Sequence, residues 1–157
     1  MAADPKFLAL ALRLATENVE KNGGGPFGAV LVKDGKVVAT GVNRVTATND
    51  PTAHAEVVAI RSACEALGSF QLEECELYTS CEPCPMCLGA IYWARPSAFY
   101  YANTQQDAAA AGFDDSFIYR EFLLPTDERQ IPGYYVKLPA AQTCFEAWNK
   151  SHTRKEY

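Results

Sequence analysis

The chain has 157 residues, of which 48% are hydrophobic and 21% are charged, and its formal net charge is -5. This length suffices for one domain with a hydrophobic core and is too short for two ordinary domains, so we predict a single domain over residues 1–157. The composition is globular and excludes a disordered class, and the acidic balance disfavours a broad nucleic-acid surface, which needs basic residues to neutralise phosphates.

The predicted elements begin with an amphipathic helix. Asp4-Pro5 is a typical helix start, because aspartate caps helix N-termini and proline is favoured at the first helical position. Asp34-Gly35 predicts a tight hairpin turn between two strands. In chain order we predict a first helix from residue 5 to a stop signal at 22–25, strands 29–33 and 37–42, a polar turn-rich segment 43–51, a helix 53–67, a strand 76–80, a helix 84–94, a strand 98–102, helices 104–111 and 116–122, a strand 134–138 and a helix 142–150.

Helices and strands therefore alternate along most of the chain. This order predicts an α/β fold in which helices cover a mixed sheet, and we expect three α/β/α layers around five strands. The chain contains no internal repeat, low-complexity segment or linker that would suggest a domain boundary.

The beginning of the chain lacks the basic and then apolar pattern of a secretory signal peptide, and no apolar run is long enough to span a membrane. We therefore expect a cytoplasmic protein with no membrane partner. In that compartment clustered cysteines are expected to bind metal, and isolated ones to remain free thiols. The six cysteines are Cys64, Cys75, Cys81, Cys84, Cys87 and Cys144.

The strongest motif combines a cysteine pair with a distant histidine. Cys84 and Cys87 have C-x-x-C spacing, and His54 lies 30 residues upstream of the first cysteine. Three protein ligands leave the fourth tetrahedral position of zinc open, and an open position is where water is activated. Glu56 follows His54 at H-x-E spacing, and this pattern with P-C-x-x-C is typical of zinc-dependent nucleobase deaminases. We predict that Glu56 is the general acid and base.

The helical context supports this cluster. Cys84 and Cys87 would share one face at a helix start, where the helix dipole favours thiolates. Residues two apart on a regular helix point in nearly opposite directions, so His54 and Glu56 can face one cavity only if they lie in the first turn. The turn-like segment 49–52 just before them favours that position.

A closed structural zinc site is the alternative interpretation. Cys81, Cys84 and Cys87 are evenly spaced by three, so a Cys3His site without an open position is formally possible. Cys81 lies before Pro83 on the predicted strand exit and cannot share the helical face of the other two cysteines. We therefore favour the open site.

Five segments carry a resemblance to a known family. They are residues 25–30, 49–56, 79–94, 111–117 and 155–157. In these segments the chain resembles the cytidine deaminase-like superfamily, and within it the bacterial guanine deaminases. The zinc motif is shared by the superfamily, whereas Gly112-Phe113-Asp114-Asp115, Trp93 and the final Tyr157 point to guanine.

The resemblance implies a zinc hydrolase that converts guanine to xanthine and ammonia in purine catabolism or salvage. It implies that His54, Cys84 and Cys87 bind Zn²⁺ and that Glu56 moves protons. It also implies a homodimer in which a tail of about residues 140–157 is swapped, so that Tyr157 acts on the neighbouring subunit. The implied substrate contacts are Asn43, Phe27, Trp93, Asp115, Asp114, Ala55 and Tyr157.

A carboxylate is also the group that guanine recognition requires on physical grounds. Guanine presents N1–H and an exocyclic amino group along one edge, and both are donors that a buried carboxylate can accept. Asp114 or Asp115 fits this role, with an ordinary helix cap as the alternative for the pair. With the resemblance we favour Asp115.

Other interpretations remain open for several residues. Phe27 and Trp93 could be core aromatics, and Asn43 could serve only a turn. A guanosine deaminase is the main alternative function. A tRNA adenosine deaminase and a structural zinc module that binds a protein partner are more distant ones, and the acidic charge disfavours the former.

Overall fold

The structure is a computed structural model that describes residues 3–157. The described chain divides into two compact units, the first ending at Ser116 and the second covering Phe117–Tyr157. The single domain over residues 1–157 stays a prediction. The helices are α1 (Pro5–Glu20), α2 (Val45–Thr48), α3 (Ala55–Leu67), α4 (Pro85–Ala94), α5 (Gln105–Ala110), α6 (Ser116–Phe122) and α7 (Thr143–Lys150), and the strands are β1 (Gly28–Lys33), β2 (Lys36–Val42), β3 (Cys75–Cys81) and β4 (Ala98–Asn103).

The first unit contains a mixed sheet. Its strand order is β2-β1-β3-β4, in which β1 is antiparallel to both neighbours and β3 is parallel to β4. Parallel strands end at the same edge of a sheet, so the segments that follow β3 and β4 leave the sheet side by side. This arrangement confirms the predicted α/β fold with a mixed sheet.

The prediction of a fifth strand is wrong, because the described residues form a sheet of four strands. The segment predicted as strand 134–138 has no strand assignment. Tyr134, Tyr135 and Val136 are 73%, 87% and 71% exposed. Their composition favours extended backbone, but a strand also needs a neighbour to receive its hydrogen bonds.

Helices pack on both faces of the sheet. On β1, Ala29 and Leu31 belong to a cluster with residues of α3 and α4, whereas Val30 and Val32 pack with Phe7 of α1. The alternation follows from the two-residue period of a strand. The core of the first unit therefore lies on both sides of β1.

Gly41 sets the position of α3 against β2. A Cβ atom at this glycine would meet the carbonyl oxygen of Ala55 and the backbone nitrogen of Ala59. Only glycine permits such a close approach of two backbones. The contact holds the first turn of α3, which carries the predicted site residues, directly over the sheet.

Two differences from the predicted elements lie next to the predicted site residues, and most other boundaries shift by one residue. The polar segment 43–51 contains a short helix, α2, which ends at Asn49 in the left-handed conformation (φ 52°). The helix predicted from residue 53 begins at Ala55, with His54 as its N-cap.

Within residues 3–157, none of the helices has the length and apolar character required to cross a membrane.

The second unit lacks a buried core of its own. All residues of Phe117–Tyr157 are described, and each is at least partly exposed. Local hydrogen bonds order the segment, including one of 2.7 Å from the Gln130 N–H to the Glu121 carboxylate. Several large apolar side chains are more than half exposed, among them Leu123, Ile131, Leu138 and Phe145.

Candidate metal centre

His54 lies where the chain enters α3. Its backbone is extended (φ -70°, ψ 156°), so it is the N-cap and not part of the helical repeat. The Arg44 N–H donates to the Ala53 carbonyl at 2.9 Å, which ties this entry to the end of β2. Glu56 is the second helical residue. The predicted conflict between residues two apart on a helix therefore does not arise, because only Glu56 follows helical geometry.

Cys84 is the N-cap of the next helix in the same way. Its backbone is extended (φ -65°, ψ 167°), and Pro85 occupies the first helical position. Cys87 follows in the first turn and is fully buried. The beginnings of α3 and α4 thus converge, as expected, and their N-terminal dipole ends favour negative charge between them.

The ligand atoms of these residues form one group. His54 Nδ1 is 3.5 Å from both Cys84 Sγ and Cys87 Sγ, and the three ligand atoms lie within 4.8 Å of one another. Zinc bonds of about 2.3 Å to sulfur and about 2.05 Å to nitrogen, at tetrahedral angles, separate N and S ligands by about 3.6 Å. The observed separations therefore fit a zinc ion bound by all three residues.

Hydrogen bonds prepare the cluster for a cation. The Cys87 thiol, His54 and the Cys87 backbone N–H bond to the Cys84 sulfur, and together they lower the Cys84 pKa to about 4 against the opposing effect of burial. The same contact with Cys84 raises the His54 pKa, with smaller contributions from the charges of Glu56 and Asp115. These contacts favour the thiolate form of Cys84, which is the form that binds zinc, while the contact with Cys84 raises the pKa of Cys87.

Glu56 lies against this cluster and is 6% exposed. Burial raises its pKa, because an ionised carboxylate loses its hydration in this position, and the charge of Cys84 adds to the effect. The Cys87 side chain is within hydrogen-bonding distance of its carboxylate. Glu56 is thus placed beside the metal-ligand atoms and can hold or release a proton there.

Cys81 does not join the cluster. Its thiol donates to the Thr104 carbonyl at 3.5 Å, and burial raises its pKa to about 11. The candidate metal group in the described part of the chain contains His54, Cys84 and Cys87 without Cys81. This placement favours the open three-ligand site over the closed Cys3His alternative.

Asn43 is buried beside the glycine turn 23–25. Its Oδ1 accepts the backbone N–H groups of Gly25 and Val45, each at 3.3 Å. Asn18 donates from Nδ2 to the carbonyls of Asn43 and Gly25, both at 2.9 Å. Asn43 therefore has the turn role that was its alternative. The turn uses the side-chain oxygen of Asn43.

The two neighbouring aspartates have different partners. Asp114 Oδ1 accepts the Ser116 N–H at 2.9 Å, an Asx-turn contact at the residue where α6 begins. Asp115 Oδ1 accepts a 2.7 Å hydrogen bond from Gln105 Nε2, and its charge contributes to the raised pKa of His54. Of the two, Asp115 is thus the carboxylate whose charge acts on a metal-ligand candidate.

A sequence profile described as the cytidine and deoxycytidylate deaminase zinc-binding region matches residues 1–103. The chain belongs to this deaminase family. A curated guanine deaminase from Bacillus subtilis is 61% identical over 151 residues, which cover 96% of this chain and 97% of the relative. A solved structure of guanine deaminase from Bacillus subtilis has a TM-score of 0.97 and 59% identity, and the match covers 99% of both chains. A tRNA-specific adenosine deaminase from Agrobacterium fabrum is 48% identical over 101 residues, which cover 64% of this chain and 66% of the relative.

The predicted aromatic residues of this deaminase occupy different environments. Phe27 is half-buried and packs edge-to-face on Phe113, with ring centroids 5.0 Å apart. Phe113 was not among the predicted substrate contacts, although it lies within the Gly112-Phe113-Asp114-Asp115 motif that indicated the family. Trp93 on α4 is 63% exposed, so it is not a core aromatic. Ala55 is fully buried at the start of α3, and Tyr157 lies in the second unit at 70% exposure.

Proposed function

We propose that this deaminase hydrolyses guanine to xanthine and ammonia, and that it acts in the cytoplasm in purine catabolism or salvage. The observation that carries the proposal is the near full-length identity of 61% to a guanine deaminase, with a motif set that extends beyond the zinc-binding region. The proposed zinc ligands are His54, Cys84 and Cys87.

A zinc ion held by His54, Cys84 and Cys87 would leave one position for water and would make that water more acidic. Glu56 accepts the proton of the water that attacks C2 of guanine. The same carboxylate then returns protons to a ring nitrogen and to the departing amino group. Water thus adds at C2, the C2–N bond breaks and ammonia leaves, which balances as guanine plus water giving xanthine plus ammonia.

The remaining groups orient the base. Asp115 accepts hydrogen bonds from N1–H and the exocyclic amino group, so bases without these donors leave a carboxylate unpaired. Asn43 donates from its amide to the purine edge. Phe27 and Trp93 contact the flat faces, with Ala55, Asp114 and Tyr157 as further predicted contacts. Holding the ring in this orientation places C2 at the reacting position.

Zinc-loaded protein is expected to release ammonia from guanine and to form xanthine, measured by ultraviolet absorbance and an enzyme-coupled ammonia assay. Adenine, cytosine, cytidine and a tRNA anticodon stem-loop with adenine as the target base are expected to release at least about 100-fold less ammonia, because the amino-bearing edge of adenine or cytosine lacks the adjacent ring N–H donor of guanine. Guanosine keeps the guanine edge and adds a ribose at N9, and it is expected to react more slowly than guanine. Equal or faster turnover of guanosine would replace the proposal with a guanosine deaminase. Zinc-loaded protein that is inactive on every substrate would favour a structural zinc module.

We also propose a homodimer in which the tail of about residues 140–157 is swapped. The support is the apolar surface of the second unit: in the single chain Phe145 and Trp148 of the tail are 62% and 40% exposed, and Ile131 and Leu138 before the tail are 87% and 61% exposed. Exposed apolar area of this kind is typical of surfaces that become buried in an assembly. Tyr157 of each tail would then contact the substrate held by the neighbouring protomer.

Deleting Glu156 and Tyr157 is expected to lower kcat/KM for guanine by about tenfold, because an aromatic contact to the base is lost. Glu156→Ala is the matched control and should remain active. Purified mixed dimers of this deletion and Glu56→Gln should regain about half of wild-type activity, since one of the two sites in each mixed dimer is then complete. Full activity of the deletion would disprove the contact, and absence of recovery in verified mixed dimers would disprove its action between subunits.

A further inference from the structure

A chain of hydrogen bonds connects the cysteine loop to Asp115. It begins at Glu82, which lies two residues before Cys84. Glu82 Oε2 accepts the backbone N–H of Gln105 at 3.0 Å. The side chain of Gln105 then donates from Nε2 to Asp115 Oδ1 at 2.7 Å. The backbone of Gln105 is therefore bound by the loop that carries Cys84, and the side chain of Gln105 binds the Asp115 carboxylate.

The sheet fixes the two ends of this connection relative to each other. Cys81 of β3 is paired with Asn103 of β4, and the two strands are parallel. The Glu82 N–H continues this pairing by donating to the Asn103 carbonyl at 2.8 Å. Glu82 and Gln105 therefore leave the same edge of the sheet side by side.

The start of α5 is also rigid. Thr104 is its N-cap in a reciprocal capping box with Asp107, whose Oδ2 accepts the Thr104 N–H at 2.8 Å. Gln105 is the first helical residue, and its N–H is one of the groups that a helix leaves unsatisfied at its N-terminus. Glu82 satisfies that N–H, so the backbone of Gln105 cannot easily rotate away.

The loop that carries Asp115 is anchored on both sides of this residue. The Phe113 N–H donates to the Ala108 carbonyl at 2.9 Å, which folds the loop back on α5. The Ser116 N–H donates to Asp114, as described above. These bonds fix the backbone on either side of Asp115 but not the orientation of its side chain. Among the assigned hydrogen bonds of residues 3–157, the Asp115 side chain has one side-chain partner, Gln105.

We propose that Gln105 is a positioning residue for base recognition, which sets the orientation of the Asp115 carboxylate and, through Glu82, its distance from the metal-ligand loop. This inference rests on the proposed function. A carboxylate offers about four acceptor positions, so the bond from Gln105 leaves room for the two donors of guanine. An amide suits this task because it donates without adding charge, whereas a glutamate would repel Asp115.

The test compares three variants by steady-state kinetics on guanine. Gln105→Glu keeps side-chain length and removes the donor, Gln105→Met removes the hydrogen bond without adding charge, and Gln106→Glu adds the same charge at an exposed neighbour. Both Gln105 variants should raise KM by about tenfold or more with a smaller loss of kcat, because a hydrogen bond that orients ground-state binding is lost. Gln106→Glu should behave as wild type. The zinc content and the thermal unfolding midpoint of each variant, measured in parallel, should match those of the wild-type protein.

A double-mutant cycle with Asp115→Ala separates positioning from general structural support. If Gln105 acts through Asp115, Gln105→Met should cause no further loss of kcat/KM in the Asp115→Ala background. An unchanged KM in folded Gln105→Glu and Gln105→Met, or losses that add fully to that of Asp115→Ala, would overturn the inference. Wild-type protein that is inactive on guanine would instead refute the proposed function, so the two failures are distinguishable.

Discussion

Glu56→Gln is expected to lower kcat for guanine by about 10³–10⁴-fold while zinc remains bound. The substitution preserves the shape of a buried side chain that is 6% exposed, so the fold and the ligand cluster should persist. It removes the only group in our scheme that accepts the proton of the attacking water and returns it to the leaving amino group. The loss should therefore appear in kcat, with little change in KM.

The matched control for this substitution is Glu65→Gln, an exposed glutamate on the same helix. It should leave kcat and KM unchanged. Bound zinc is measured for all variants by elemental analysis of the folded protein. A Glu56→Gln variant that retains one zinc per chain and turns over guanine at the wild-type rate would remove Glu56 from the mechanism.

The metal centre could be predicted from sequence because its determinants are local. Pro85 next to Cys84 and the turn before His54 each specify a helix start. Two helix starts that carry soft ligands and an adjacent carboxylate define a site even before their distance is known. Local signals also predicted α1, the Asp34-Gly35 hairpin and the end of α3 at Leu67.

The missed features depend on contacts between distant segments. Gln105 contacts Asp115 ten residues later and Glu82 23 residues earlier, and no local pattern at a helix start predicts either hydrogen bond. The prediction of a fifth strand was wrong for the same reason. Tyr134-Tyr135-Val136 has strand composition, but pairing is a property of the neighbouring chain segment and not of these residues alone.

Cys87→Ala is expected to abolish stable zinc binding and all measurable turnover. Removing a group that only supports a zinc ligand already costs about 10–100-fold in metal affinity, so removal of a ligand itself should cost more. Cys81→Ala is the matched control, because both thiols are buried but Cys81 donates to the Thr104 carbonyl. It should keep one zinc per chain and near wild-type kcat, with a loss of about 1 kcal/mol in the free energy of unfolding.

Cobalt-substituted protein distinguishes the two zinc geometries directly. With His54, Cys84 and Cys87 as ligands, the thiolate-to-cobalt charge-transfer bands should have the intensity of two sulfur ligands, and Cys81→Ala should leave them unchanged. Charge-transfer intensity of three thiolates, reduced in Cys81→Ala, would indicate a closed Cys3His site. A closed site has no position for the attacking water, and Glu56 would then lie beside a structural metal without a substrate on which to act.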